Sequence, residues 1–190
     1  MPMHMITTNA VSTAIARNKA AGSFNTGAEA TAVPTYLLEE CLSLYPQDYR
    51  YLECFRYNSG MLVATILPHE IDYSAIKVEY YTASQIVLLT SQMGYILGGC
   101  ILSDPLFSEA TFDMYPLYLD LLRSGQLYYS QLQMKFRRKI SNSLPNEVSI
   151  RVKRIVRRDS LYLMFSRLSI AQENVFVDVT LAMNTRRTAL

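Results

Sequence analysis

Tryptophan is missing from these 190 residues, and histidine, cysteine, glycine and proline are scarce: two, three, seven and seven. Each shortage excludes something. Cys41, Cys54 and Cys100 are odd in number and widely spaced, which fits neither a disulfide framework nor a zinc site. They read as reduced, mostly buried thiols, and with them the chain reads as cytoplasmic. The two histidines, His4 and His69, are far apart, and no His-rich or acidic metal constellation exists, so no metal and no cofactor is expected. A Ser-His-Asp triad cannot be argued from His69 alone. The glycines make no phosphate-cradling loop, since Gly98-Gly99 follows a helical pattern instead of opening one. Net charge is only +2, so the total points to no partner. Residues 1–25 hold Arg17 and Lys19 but no apolar run of the kind a secretory leader needs.

The sharpest local shortage is charge between Tyr80 and Ser103, where there is none. By length alone this run could cross a membrane. It contains Thr82, Ser84, Gln85, Thr90, Ser91 and Gln92, and no basic cluster flanks it, so it reads as a buried helix and not as a span.

What is present is a globular share of apolar residues, 50%, in a length that suits one domain with one core. Fourteen tyrosines bring apolar area together with hydroxyls that need partners when buried. Residues 1–33 lack periodicity and read as a flexible arm, 34–183 as the domain, and 184–190 as a frayed end. A short helix is expected over 35–44, ended before Pro46. YRYLECFRY predicts a strand over 49–57, Asn58-Ser59-Gly60 a turn, and MLVATIL a returning strand over 61–67. Thr82 followed by Gln85 has capping-box spacing and starts a helix over 83–98. Ile86, Leu89, Met93 and Leu97 form its stripe, Val87, Gly94 and Ile96 widen it, and Gly98-Gly99 should end it in the left-handed conformation. A further helix is expected near 115–124. Strands follow over 126–140, 147–158, 161–170 and 175–183, where Val148, Ile150 and Val152 alternate with Arg151 and Lys153. Consecutive hairpins imply an antiparallel sheet, and its dry face needs an apolar filler. The class is therefore α+β: a sheet wrapped around a central buried helix, the hot-dog fold, with an ordinary α+β sandwich as the competing pattern.

The stretches YYTASQIVLLTSQMGY and KFRRKISNSLP, with YRYLE upstream, resemble the FcoT-like family of hot-dog acyl thioesterases, in order and spacing from about Leu42 to Met183. The resemblance implies a homo-oligomer, a dimer or larger, acting on fatty acyl groups carried as thioesters of coenzyme A or acyl carrier protein. Two chemistries belong to that family: hydrolysis of the thioester, and addition of an amino acid such as glycine to the β-carbon of an enoyl thioester, in pathways to β-amino or isonitrile lipids. It also implies the catalytic positions. Tyr45 falls on one family tyrosine within one residue's slip, and Tyr73 is one residue out of register with another, where Ser74 holds the strict place. The family's asparagine becomes Thr82 and its glutamate Gln85. Thr82 cannot copy a carboxamide, and Gln85 cannot act as a base.

The residues support a chemistry of their own. A helix N-terminus offers unpaired N–H groups and partial positive charge to the oxygen of a reacting thioester. Thr82 and Gln85 would hold that tip as catalytic residues, with Tyr81, Ala83 and Ser84 against the substrate. The same spacing also serves as an ordinary cap, and Tyr45, Tyr73, Tyr80 and Tyr81 as ordinary packing. Tyr80 and Tyr81 are adjacent, so one should face in and one out. Glu70, Asp72 and Glu79 are the nearest carboxylates. A dehydratase built on His69 would need an acid where Ala83 stands. Ten of the eighteen basic residues lie between Lys135 and Arg167, opposed by Glu147 and Asp159. Of these, Arg137, Arg138, Arg151 and Lys153 are candidates for binding coenzyme A phosphates or an acidic carrier protein. A solvated charged face, and a non-catalytic acyl sensor or nucleic-acid-binding protein, are the alternatives.

Overall fold

A computed structural model describes residues 30–68, 79–104, 107 and 115–185. Among the described residues seven strands form one antiparallel sheet: β1 (Thr31–Ala32), β2 (Leu52–Asn58), β3 (Met61–Ile66), β4 (Leu127–Phe136), β5 (Asn146–Arg158), β6 (Leu161–Ile170) and β7 (Val175–Asn184). Their order is β1-β2-β3-β5-β6-β7-β4. Among the described residues three α-helices accompany it: α1 (Thr35–Ser43), α2 (Ala83–Ser103) and α3 (Tyr115–Arg123).

The strands follow the period-two rule. Val148, Ile150 and Val152 are buried while Arg151 and Lys153 are exposed, and Val175, Val177, Val179 and Leu181 face the same interior. The central helix α2 packs on that interior face, touching β2, β3, β5, β6 and β7. Ile86, Leu89, Met93, Ile96 and Leu97 are wholly buried there. Long and apolar enough to cross a membrane, α2 is nonetheless mostly covered by its own domain.

Several expectations are corrected. The helix does not end at Gly98-Gly99 but runs on to Ser103. The two glycines are small because neighbours lie against them. A Cβ at Gly98 would meet the Tyr118 hydroxyl of α3 at 2.7 Å, and one at Gly99 would meet Leu37 of α1. Val87 does not widen the buried stripe; it is 41% exposed. The strand expected from 49 begins only at Leu52, because residues 47–49 close a 3₁₀ turn in which the Tyr49 and Arg50 amides donate to the Pro46 and Gln47 carbonyls. The strand expected to reach 140 stops at Phe136, where the Arg137 and Arg138 amides turn to the Asn174 carbonyl. β4 pairs with β7, not β5, so the last four strands are not a simple meander. Thr31 and Ala32 pair with Tyr57 and Arg56, and β7 extends through Asn184. Cys41 and Cys100 are buried, but Cys54 is exposed at a bulge in β2.

Candidate active site

The tip of α2 is built by reciprocal capping. Gln85 N–H donates to Thr82 Oγ1 at 3.4 Å, and Thr82 N–H donates to Gln85 Oε1 at 3.0 Å. The Thr82 hydroxyl donates to the same Oε1 at 3.3 Å. Thr82 Oγ1 and Gln85 Oε1 are thus occupied with each other and with the backbone, and hold the first turn rigid. The first acceptor along the helix is the Thr82 carbonyl, taken by Ile86 N–H. The Ala83 and Ser84 amides precede it, and no acceptor for them exists among the described residues. Ala83 and Ser84 are both exposed. Gln85 is 1% exposed, and its Nε2 has no partner among the described residues.

A cleft of about 550 Å³ opens at this tip, lined by Tyr80, Tyr81, Thr82 and Ala83 on one side and by Phe136, Arg137, Arg138 and Lys139 on the other. The two sides are stitched together. Tyr80 bridges to Ser141, Tyr81 N–H donates to the Ile140 carbonyl at 3.0 Å, and Asn142 N–H donates to the Glu79 carbonyl. Tyr81 points inward and Tyr80 outward, as adjacency required. The buried Tyr81 hydroxyl donates to the Leu67 carbonyl at 3.1 Å. Burial pushes its pKa up to about 12, so it is a fixed donor and not a base at neutral pH.

The cationic candidates divide. Arg137 and Arg138 belong to the cleft rim, and Lys139 joins them. Arg137 pairs with Glu173 at 3.3 Å, and Lys139 sits 4.9 Å above the Tyr80 ring. Arg138 has no acidic partner among the described residues. Arg151 and Lys153 lie instead on the outer face of the sheet, away from α2. Lys153 is tied to Asp178 at 2.5 Å, as is Arg167 at 2.6 Å. Asp178 lies on β7, past the end of the basic run, so reading the cations against Glu147 and Asp159 missed it. The Arg167 and Lys153 hydrogen bonds hold its carboxyl at about 2 despite partial burial.

Tyr45 is not brought to the tip within the chain. Its hydroxyl donates to Ser91 Oγ at 2.7 Å, nine residues and about 13 Å along α2 from Thr82. Burial raises its pKa well above the ordinary tyrosine value. Tyr73, His69, Glu70 and Asp72 lie outside the described residues. Glu79 is exposed. No cluster of histidine, cysteine and carboxylate suited to a metal occurs among the described residues. Reading by sequence missed Lys139 and Phe136 as lining residues, although their contiguity with Arg137 and Arg138 was a usable signal.

No protein-family model matches the chain, and no curated protein does. Solved structures do match. A thioesterase from Haemophilus influenzae superposes with a TM-score of 0.50 over 84% of this chain and 97% of that one, at 10% identity. This chain has the hot-dog fold. A mutant thioesterase from Pseudomonas aeruginosa gives 0.46 over 80% and 96%, at 13% identity. A hypothetical thioesterase from Streptococcus pneumoniae, solved with coenzyme A, gives 0.41 over 72% and 87%, at 9% identity. At such identities the likeness to hot-dog thioesterases is one of architecture.

Proposed function

We propose that this protein is a cytoplasmic acyl thioesterase of the hot-dog fold, acting on fatty acyl groups joined to coenzyme A or acyl carrier protein. The observation that carries this reading is the pair of amides, Ala83 and Ser84, that have no acceptor among the described residues, at the tip of a 21-residue helix beside a cation-rimmed cleft. The thioester carbonyl oxygen accepts from these amides. Water attacks the carbonyl carbon, and the negative oxygen that forms is stabilised by fixed donors and the helix dipole. The carbon–sulfur bond then breaks, the thiolate leaves, and the proton lost by the water reaches it through solvent. Products are the free acid and the thiol. Thr82 and Gln85 act as positioning residues, because Thr82 Oγ1 and Gln85 Oε1 are engaged in the cap. Arg138 and Lys139 meet the phosphates of the carrier.

The deciding experiment uses proline at the first helical position. Proline is well tolerated there, and Thr82, at φ −83° and ψ 164°, already has the extended backbone that a following proline requires. Ala83→Pro therefore deletes one amide donor without disturbing the helix. We expect an unchanged melting temperature and a loss of about 10²–10³ in thiol release from saturated acyl-coenzyme A. Full activity in Ala83→Pro overturns the assignment of the tip.

One observation favours a second reading. The described cleft lining contains neither carboxylate nor imidazole. An amine nucleophile brings its own lone pair, and a cationic rim suits the carboxylate of an amino acid. Addition of glycine to an enoyl thioester, the other chemistry of the FcoT-like family, is supported if an enoyl substrate gains the mass of one glycine and releases no thiol.

A further inference from the structure

The outer face of the sheet, turned away from α2, is cationic and carries half-buried rings. On β5, Arg151, Lys153, Arg154 and Arg158 are exposed on this side, and the bulge between Val152 and Arg154 sets two successive side chains there. Arg167 of β6 and Lys135 of β4 join them. Two carboxylates on β4–β7 oppose these six cations. Asp178 holds Lys153 and Arg167, and Glu147 meets Arg56 of β2 at 3.8 Å. Arg151, Arg154 and Arg158 have no acidic partner among the described residues. From Arg151 to Arg158 the strand advances about 20 Å.

The rings stand between the cations. Arg154 lies over Phe165 of β6, 4.1 Å from the ring centroid. Phe176 of β7 has Arg167 at 4.9 Å, Arg137 at 5.2 Å and Lys135 at 6.0 Å from its centroid. Both rings are half-buried. Phe165 pairs with Thr180, and Phe176 lies further along the same β7, so the two ring positions are about 14 Å apart. A guanidinium resting on a ring is held flat. The ring takes its inner plane, its outer plane can stack a base, and its N–H edge is left for phosphate oxygens.

We propose that the outer face of β4–β7 binds single-stranded nucleic acid, with phosphates on Arg151, Arg154 and Arg158 and a base stacked on the Arg154–Phe165 pair. Charge and shape choose this occupant. The whole chain carries only +2, yet this one face gathers six cations against two carboxylates. The stacked guanidinium suits bases that stand apart, as they do in a single strand. A duplex hides its base planes, and a flat sheet face offers no helix or ribbon to enter a groove. An acidic protein matches the charge but makes no use of the stack. None of Arg151, Arg154 and Arg158 lines the cleft, so the proposal stands apart from the thioester reading.

Fluorescence anisotropy of a labelled oligothymidylate of about twelve nucleotides, titrated with the full-length protein at a series of salt concentrations, tests this. The slope of log Kobs against log salt should be about −2, the value for three phosphate contacts on a single strand. Arg151→Gln and Arg158→Gln should each flatten that slope by about 0.7. Arg154→Lys keeps the charge and loses the plane, so it should weaken binding about fivefold or more at an unchanged slope. All three positions are exposed, and a thermal melt checks that each variant folds. No binding at low salt overturns the proposal, and so does an Arg154→Lys protein that binds like wild type. A duplex of the same length bound as tightly overturns the single-strand assignment. Labelled polyglutamate bound as tightly overturns it in favour of an acidic protein. Binding lost in Arg138→Gln but kept in the three outer-face variants belongs to the cleft and also overturns it.

Discussion

At Thr82 a single hydroxyl does two jobs, accepting from Gln85 N–H and donating to Gln85 Oε1. Thr82→Ala removes both. The loss should cost about 1 kcal/mol of stability, the usual worth of a cap, measured by denaturant unfolding. It should also lower turnover, because an unpinned first turn no longer holds the Ala83 and Ser84 amides in line. If the variant melts earlier yet turns over at the wild-type rate, Thr82 is a cap and nothing more. The cap was legible from two letters three positions apart, because its physics is local. The ligation of Tyr45 to Ser91 was not, since it spans 46 residues and depends on how α1 lies across α2.

The central helix shows how an element can be read correctly in kind and wrongly in extent. Its apolar stripe and its start were evident from spacing, but its end was assigned to glycines that in fact admit Tyr118 and Leu37. Glycine signals either a stop or a close approach, and only the neighbours decide which. Gly94→Ala illustrates the second case. Alanine favours helix by about 1 kcal/mol, yet here its methyl would strike the Tyr129 hydroxyl, and overpacking typically costs about 1–3 kcal/mol. We expect net destabilisation, partly relieved when Tyr129→Phe is combined with it, as a double-mutant cycle by denaturant unfolding would report. On the sheet, the Lys153–Asp178–Arg167 bridge of β5, β7 and β6 gives a pH signature. The Asp178 pKa is depressed from its ordinary value near 4 to about 2 in the folded state. The bridge therefore contributes its stability above about pH 4 and loses it as pH falls through 2. Acid titration of the melting temperature should show a shallower decline in Asp178→Asn than in wild type across that window.

For the molecule as a whole, the cations fall into two populations. On the outer face Lys153 and Arg167 are held by Asp178, and Arg154 stacks on Phe165 at 4.1 Å. Those at the cleft stand beside the helix tip. Only the second population should sense the carrier. Raising ionic strength should therefore raise KM for an acyl-coenzyme A while leaving that for an acyl-pantetheine, which carries no phosphate, nearly constant. Arg138→Gln should raise KM for the coenzyme A substrate about two- to fivefold, the worth of one exposed charge contact. The run from Lys135 to Arg167 gave the total of positive charge, but not its partition, because strand pairing alone decides which face and which rim each side chain joins.

The stitches between residues 79–81 and 140–142 have a further consequence. They make the cationic lip and the amide-bearing apex one rigid piece, like the two jaws of a clamp cut from a single bar. A carrier gripped at its phosphates is thereby levelled against the apex in the same motion. Substrates without that handle should suffer in kcat as well as in KM, since part of the grip is spent on alignment and not on residence.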